Sequence, residues 1–115
     1  MKHFIYIFFL LSTWFSYTQD IKIMHINAKW NQSNNYNLRG LKNCKVQYAL
    51  LEDQAPSLRA QISSVPIIIL LDKNGKPRGQ WKAGLSFKIE ASIEEIQNRV
   101  NVIMLETSSR RATSN

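Results

Sequence analysis

The most informative hydrophobic pattern in the chain is the unbroken apolar run that follows Pro66. Residues 65–72 read VPIIILLD, and a run this rich in β-branched residues predicts a strand buried on both faces. Proline is tolerated where such a strand begins but not inside it. The polar turn at residues 72–75 (DKNG) predicts a hairpin, so we expect Gly79–Ala83 to return antiparallel as an edge strand.

Two other segments have strand patterns. Residues 21–28 (IKIMHINA) alternate imperfectly, with Ile21, Ile23 and His25 on one face, and they predict the first strand. Residues 45–51 (KVQYALL) predict the second. The buried run at residues 65–72 is then the third strand and its hairpin partner the fourth.

Helical patterns separate these strands. A short helix is expected to begin at Ser33 or Asn34 and to carry Tyr36, Leu38 and Leu41. Pro56 suits the first turn of a second helix, with Leu58, Ile62 and Val65 on one side.

The last helical pattern begins with a capping box, Ser92 followed by Glu95. Apolar residues at helical spacing follow it and predict a helix from Ile93 to about Met104. The order strand, helix, strand, helix, strand, strand, helix predicts a small α/β sandwich.

The first 19 residues have the order of a secretory signal peptide. Lys2 precedes the apolar residues 4–11 (FIYIFFLL), and Ser16 and Thr18 supply small residues at the −3 and −1 positions. We therefore expect cleavage near Thr18 or Gln19 and an exported protein, periplasmic or secreted. Because a membrane span needs about 20 apolar residues, no stable span is expected after cleavage; an uncleaved N-terminal anchor is the alternative.

The remaining chain is predicted to be one domain, residues 20–105, with a disordered basic tail at residues 106–115 that is rich in Ser and Thr. The formal net charge is +7, from 15 Lys and Arg against 8 Asp and Glu. These charges are scattered and form no basic run interleaved with aromatics, which argues against nucleic-acid binding. We predict neither a cofactor nor a metal.

Cys44 is the single cysteine, so no internal disulfide is possible. One interpretation is a small buried hydrophobic residue, and the other is a reactive thiol. His25 has two interpretations as well, a core histidine with one hydrogen bond or a catalytic base. A hydrolase built on Ser33 and His25 has no supporting constellation of residues.

Three motifs in this order resemble the thioredoxin fold. Residues 28–34 (AKWNQSN) are similar to the end of that family's strand, its Trp-Cys-x-x-Cys motif and the start of its helix. Val65-Pro66-Ile67 resembles the family's cis-proline loop. Residues 73–75 (KNG), with Gly84 further on, resemble its hairpin. The resemblance covers residues 21–104 and implies a three-layer sandwich with a central mixed sheet, in a minimal version without the family's N-terminal strand and helix.

The departures from the family decide the expected function. Asn31 and Asn34 stand where the redox cysteines would be, and His25 stands where the family commonly carries a buried Asp. Thiol–disulfide exchange needs a thiolate that attacks sulfur, which an amide cannot do. The resemblance therefore implies a member that has lost dithiol chemistry.

The binding role of the family's cis-proline loop does not require those cysteines. We expect a cis Val65-Pro66 bond and a groove that binds an unidentified protein or peptide by strand addition. The predicted groove residues are Trp30, Asn31, Gln32, Ser33, Asn34, Val65 and Pro66. Trp30 either contacts the ligand or caps the end of the sheet. The alternative function is redox chemistry through Cys44 alone.

Overall fold

A computed structural model describes the backbone of residues 20–113 and side chains up to residue 106. The predicted signal peptide lies outside these described residues. The strands are β1 (Lys22–Asn27), β2 (Lys45–Leu50), β3 (Ile67–Leu71) and β4 (Pro77–Lys82). Two 3-10 helices span Lys29–Asn34 and Leu51–Asp53, and two α-helices follow, α1 (Pro56–Gln61) and α2 (Ile93–Thr113).

The four strands form one mixed sheet in the order β2-β1-β3-β4. β1 runs parallel to β2 and antiparallel to β3, and β4 runs antiparallel to β3. The predicted α/β class is therefore confirmed. Asn27 lies opposite Leu50, and Ile26 lies opposite Ile67. The ends of β1 and β2 thus meet the start of β3 at one end of the sheet, where the candidate site lies.

β3 is buried over its whole length, as its apolar run predicts. Ile68 and Leu70 belong to a core cluster with three α2 residues, Ile96, Val100 and Ile103. Ile67, Ile69 and Leu71 belong to a second cluster, against which Ile62 packs. Since successive side chains of a strand point to opposite faces, the two clusters lie on the two faces of the sheet.

The hairpin after β3 forms as predicted, although its second strand spans Pro77–Lys82 instead of the expected Gly79–Ala83. The Asp72 carboxylate accepts hydrogen bonds from the N–H groups of Asn74 at 2.9 Å and Lys76 at 3.0 Å. Gly75 has φ of 79°, a region that glycine enters without steric cost. β4 begins at Pro77 and is an edge strand, where a residue without an N–H group is tolerated.

The prediction of a helix that begins at Ser33 or Asn34 is wrong. A 3-10 helix occupies residues 29–34 instead, and residues 35–44 contain neither helix nor strand. Two backbone N–H groups of this segment donate to side chains instead of to helical carbonyls. The Tyr36 N–H bonds His25 Nε2 at 3.0 Å, and the Leu38 N–H bonds the Tyr48 hydroxyl at 3.1 Å. Such bonds compete directly with helix formation.

The other two helices begin where they are predicted. α1 starts at Pro56 and buries Leu58, but it ends at Gln61 and so excludes Ile62 and Val65. At the start of α2, the Glu95 N–H donates to Ser92 Oγ at 3.1 Å. The Glu95 carboxylate does not complete the capping box, because it accepts the Trp81 indole N–H at 2.7 Å.

α2 continues to Thr113, beyond its predicted end at Met104. Residues 106–113, predicted as part of a disordered tail, therefore have helical backbone. Arg78 on β4 donates to the Glu106 carboxylate at 2.6 Å, which ties this part of the helix to the sheet. Each residue added to an existing helix gains one hydrogen bond, so a helix extends more easily than it begins.

Candidate functional site

The candidate site surrounds Asn31, at the end of the sheet where β1 stops. Asn31 lies inside the first 3-10 helix and is only 3% exposed. Its backbone leaves helical geometry there, with φ of −112° and ψ of 16°. Its N–H donates to the Ala28 carbonyl at 3.0 Å. This kink directs the amide side chain into the protein instead of into solvent.

The Asn31 side chain joins three separate segments. Its Nδ2 group donates to Asn27 Oδ1 at 3.1 Å, to the Phe87 carbonyl at 3.1 Å and, more weakly, to the Val65 carbonyl at 3.4 Å. Its Oδ1 atom accepts from Asn34 Nδ2 at 2.7 Å. The amide therefore holds the first 3-10 helix against both the loop before β3 and the loop after β4.

The side chain of Asn27, the last residue of β1, makes three further hydrogen bonds at this site. Its Nδ2 group donates to the Asn31 carbonyl at 2.8 Å and to Asn35 Oδ1 at 2.7 Å, and its Oδ1 atom accepts the Ala28 N–H at 2.9 Å. We call Asn27, Asn31, Asn34 and Asn35 the asparagine network. A satisfied network of this kind fixes its members in one geometry, and here it fixes the loop that carries Trp30.

Two aromatic side chains form an exposed rim beside Asn31. Trp30 is 66% exposed, and its ring meets the Phe87 ring edge to face, with centroids 5.2 Å apart and planes at 83°. Phe87 is 46% exposed and has φ of 59°, an unusual conformation for a bulky residue. The hydrogen bond from Asn31 to the Phe87 carbonyl helps to hold it. We call Trp30 and Phe87 the aromatic rim.

The loop before β3 forms the other wall of the site. The Val65-Pro66 bond is cis, as predicted, and the Pro66 carbonyl accepts the Ala83 N–H at 3.1 Å. Val65 is 6% exposed. It lies beyond the last β1–β3 pair, Ile26 with Ile67, so pairing with β1 does not use its backbone groups.

The structure brings most of the predicted groove residues together, but not all. Two of the predicted groove residues, Asn31 and Asn34, belong to the asparagine network. Three more lie beside it, namely Trp30, Val65 and Pro66. Gln32 instead lines a pocket shared with His25 and Tyr48. Ser33 is exposed, and no hydrogen bond within the described residues joins its side chain to the network.

His25 has the geometry of a core histidine. It is 1% exposed, and its Nε2 atom accepts the Tyr36 N–H at 3.0 Å. Its ring packs against the Tyr48 ring with centroids 4.7 Å apart. Burial lowers the pKa of His25, so the ring is neutral near pH 7. Because the Nε2 lone pair is already occupied, that atom is unavailable as a base.

Cys44 lies at the opposite end of the sheet. It directly precedes Lys45, which pairs with Lys22 at the start of β1, whereas the asparagine network begins at Asn27. A strand of this length covers roughly 16 Å. Cys44 is half-buried against the core cluster of Ile21 and Ile23, and burial raises the pKa of its thiol. A raised pKa reduces the thiolate fraction on which reactivity depends.

Sequence reasoning missed several residues that build the site. Asn27 and Asn35 had a signal, because they flank the Asn31–Asn34 segment as side-chain amides at the end of a predicted strand. Phe87 had no such signal, since it reaches the site through a loop of irregular backbone.

Within residues 20–113 no helix is long and apolar enough to cross a membrane. Those residues also contain no cluster of three His, Cys, Asp or Glu side chains that suits a metal ion.

The chain matches no protein-family model, no curated protein and no solved structure. What the geometry defines is a mixed α/β protein. Its candidate site joins the asparagine network, in which Asn27 and Asn31 are buried, to an exposed aromatic rim.

Proposed function

We propose that this chain is an exported, thioredoxin-like binding module that holds an extended peptide beside Val65 and has no dithiol redox chemistry. The parallel β1–β2 pair, the antiparallel β3–β4 hairpin and the cis bond ahead of β3 support the family resemblance. α2 packs on one face of the sheet and Ile62, which follows α1, on the other, in keeping with three layers.

The observation that carries the proposal is the contact of the Asn31 amide with the Val65 and Phe87 carbonyls. Where the family would have a redox cysteine, this chain has a side chain that donates hydrogen bonds and fixes two loops. An amide can organise the site but cannot form a mixed disulfide. The site is therefore suited to binding without exchange.

The proposed ligand is an extended segment of an unidentified protein or peptide of the cell envelope. Its backbone pairs with Val65 by strand addition, which supplies affinity through main-chain hydrogen bonds. One of its side chains packs on the aromatic rim, since exposed aromatic residues commonly carry binding energy. Export rests on the order of charged, apolar and small residues at the N-terminus.

A redox protein acting through Cys44 is the second candidate, and two observations disfavour it. The thiol is half-buried, and its pKa is raised by that burial. We expect slow labelling of Cys44 by a thiol reagent in the folded protein and fast labelling in denaturant. We also expect no insulin reduction above the uncatalysed rate with dithiothreitol. Turnover that survives Cys44→Ser would contradict the loss of redox chemistry.

The binding role is tested with an array of random extended peptides probed with the protein that begins at Asp20. Peptides that bind are then measured against Trp30→Ala and against Leu105→Ala, a control at a similarly exposed apolar residue on α2. Removing a hot-spot residue costs about 2 kcal/mol or more, and about 1.4 kcal/mol already corresponds to tenfold in affinity. We expect that loss for Trp30→Ala only. An array without binders, or equal affinity in both variants, overturns the proposal.

A further inference from the structure

A second concave site lies on the β2 side of the first 3-10 helix. It is a pocket of about 400 Å³ at the carboxyl ends of β1 and β2, bordered by Gln32, Asn35, Asp53 and Gln54. Tyr48, one of its lining residues, is 49% exposed. Seven of its nine lining residues are polar, which separates it in character from the aromatic rim.

One wall of the pocket is an immobilised aromatic ring. The Tyr48 hydroxyl donates to the Tyr36 carbonyl at 3.0 Å and accepts the Leu38 N–H at 3.1 Å. The Tyr48 ring also packs against His25. With its hydroxyl engaged twice, Tyr48 offers a rigid apolar surface to a ligand.

Two side-chain amides are oriented by hydrogen bonds within the protein. In each amide one polar atom, either the oxygen or the nitrogen, makes this bond. Asn35 Oδ1 accepts from Asn27 at 2.7 Å, which leaves its Nδ2 group as a donor at the pocket. Gln54 Nε2 donates to the Leu50 carbonyl at 3.0 Å, which leaves its Oε1 atom as an acceptor. The Asp53 carboxylate adds a second acceptor. The pocket thus has one oriented donor and one oriented acceptor, and Asp53 adds an exposed carboxylate.

The charge of the lining selects against anions. Asp53 is the only acidic side chain of the lining, burial lowers the pKa of His25, and no Lys or Arg among the described residues lines the pocket. A ring with adjacent hydroxyl groups would find acceptors in Asp53 and Gln54, a donor in Asn35 and an apolar surface in the Tyr48 ring. The volume falls near the lower end of the range for ligand pockets, about 300–1,000 Å³.

We propose that this pocket binds a neutral, hydroxyl-bearing ring of the size of one monosaccharide unit. The test is a titration of the ¹⁵N-labelled protein with three methyl glycosides, those of glucose, galactose and N-acetylglucosamine. Choline is titrated in parallel as a cation that would use Asp53 alone. We expect saturable shifts of the side-chain NH₂ signals of Asn35 and Gln54 with at least one glycoside.

The variants separate this pocket from the peptide site. Asp53→Ala and Gln54→Ala should each weaken glycoside binding at least tenfold, whereas Glu90→Ala, at an exposed carboxylate outside the lining, should not change it. Trp30→Ala should also leave glycoside binding unchanged, so this proposal and the peptide-binding proposal fail independently. Absence of saturable shifts with all three glycosides overturns it. So does choline binding alone, or an unchanged affinity in Asp53→Ala.

Discussion

Replacing Asn31 with alanine should destabilise the protein more than a typical substitution does, because this amide joins three segments. The change removes a 2.7 Å bond from Asn34 and two 3.1 Å bonds, to Asn27 and to the Phe87 carbonyl. The 3.4 Å bond to the Val65 carbonyl is longer and adds less than these three bonds. At about 0.5–1.5 kcal/mol net for each of the three bonds, the expected loss is about 1.5–4.5 kcal/mol.

Part of this loss comes from groups that the change leaves behind. Asn27 Oδ1 keeps the Ala28 N–H as a donor, whereas the Phe87 carbonyl loses the donor that Asn31 supplies. A fully buried polar group without a partner costs about 1–3 kcal/mol, and the part-buried Phe87 carbonyl should cost less. Because Phe87 has a positive φ, we also expect the loop after β4 to become mobile in Asn31→Ala.

Urea unfolding followed by circular dichroism measures the loss, and Asn34→Ala is the matched control. Asn34 gives up only the 2.7 Å bond, so its substitution should cost about 1 kcal/mol. The dependence of unfolding free energy on urea should stay unchanged in both variants if each affects stability alone. A loss in Asn31→Ala no larger than that in Asn34→Ala would refute the joining role assigned to Asn31.

Three further predictions concern residues outside the aromatic rim. Burial lowers the pKa of His25 below its usual value of about 6.5. The neutral His25 ring therefore contributes fully to stability above about pH 6.5, and this contribution is lost as the pH falls through the pKa of the folded state. Urea unfolding at about pH 7.5 and pH 5 should show this loss, and His25→Gln should flatten it. Tyr48→Phe removes the hydroxyl that binds Tyr36 and Leu38 and should cost about 1 kcal/mol, with faster amide exchange at Leu38; unchanged exchange would contradict this. Cys44→Ser should leave the affinity for the peptide unchanged. A loss of that affinity would mean that residues near Cys44 contribute to peptide binding.

The strands were predictable because their hydrophobic patterns are simple. The run at residues 65–72 has no alternation, which indicated burial on both faces, and the turn ending at Gly75 had its own sequence signal. The start of α2 was equally clear, since Ser92 is followed by apolar residues at helical spacing. Each of these features is determined by residues that are close together in the sequence.

The segment after Asn34 was not predictable from its neighbours. Its backbone bonds go to His25 and Tyr48, side chains that only the folded sheet brings within reach. The same holds for Phe87, which contacts Asn31 across a large separation in sequence. The structure places Asn31 near Val65, two residues of the predicted groove, but the prediction did not include Phe87, the rim residue beside Trp30.

The central claim is that Val65 and the aromatic rim bind an extended peptide. Its most direct test is amide hydrogen exchange of the protein that begins at Asp20, measured with and without a peptide selected from the array. We expect slower exchange at the Val65 N–H and shifted signals at the Trp30 indole, with no change near Cys44. A bound peptide that protects neither Val65 nor Trp30 would contradict it.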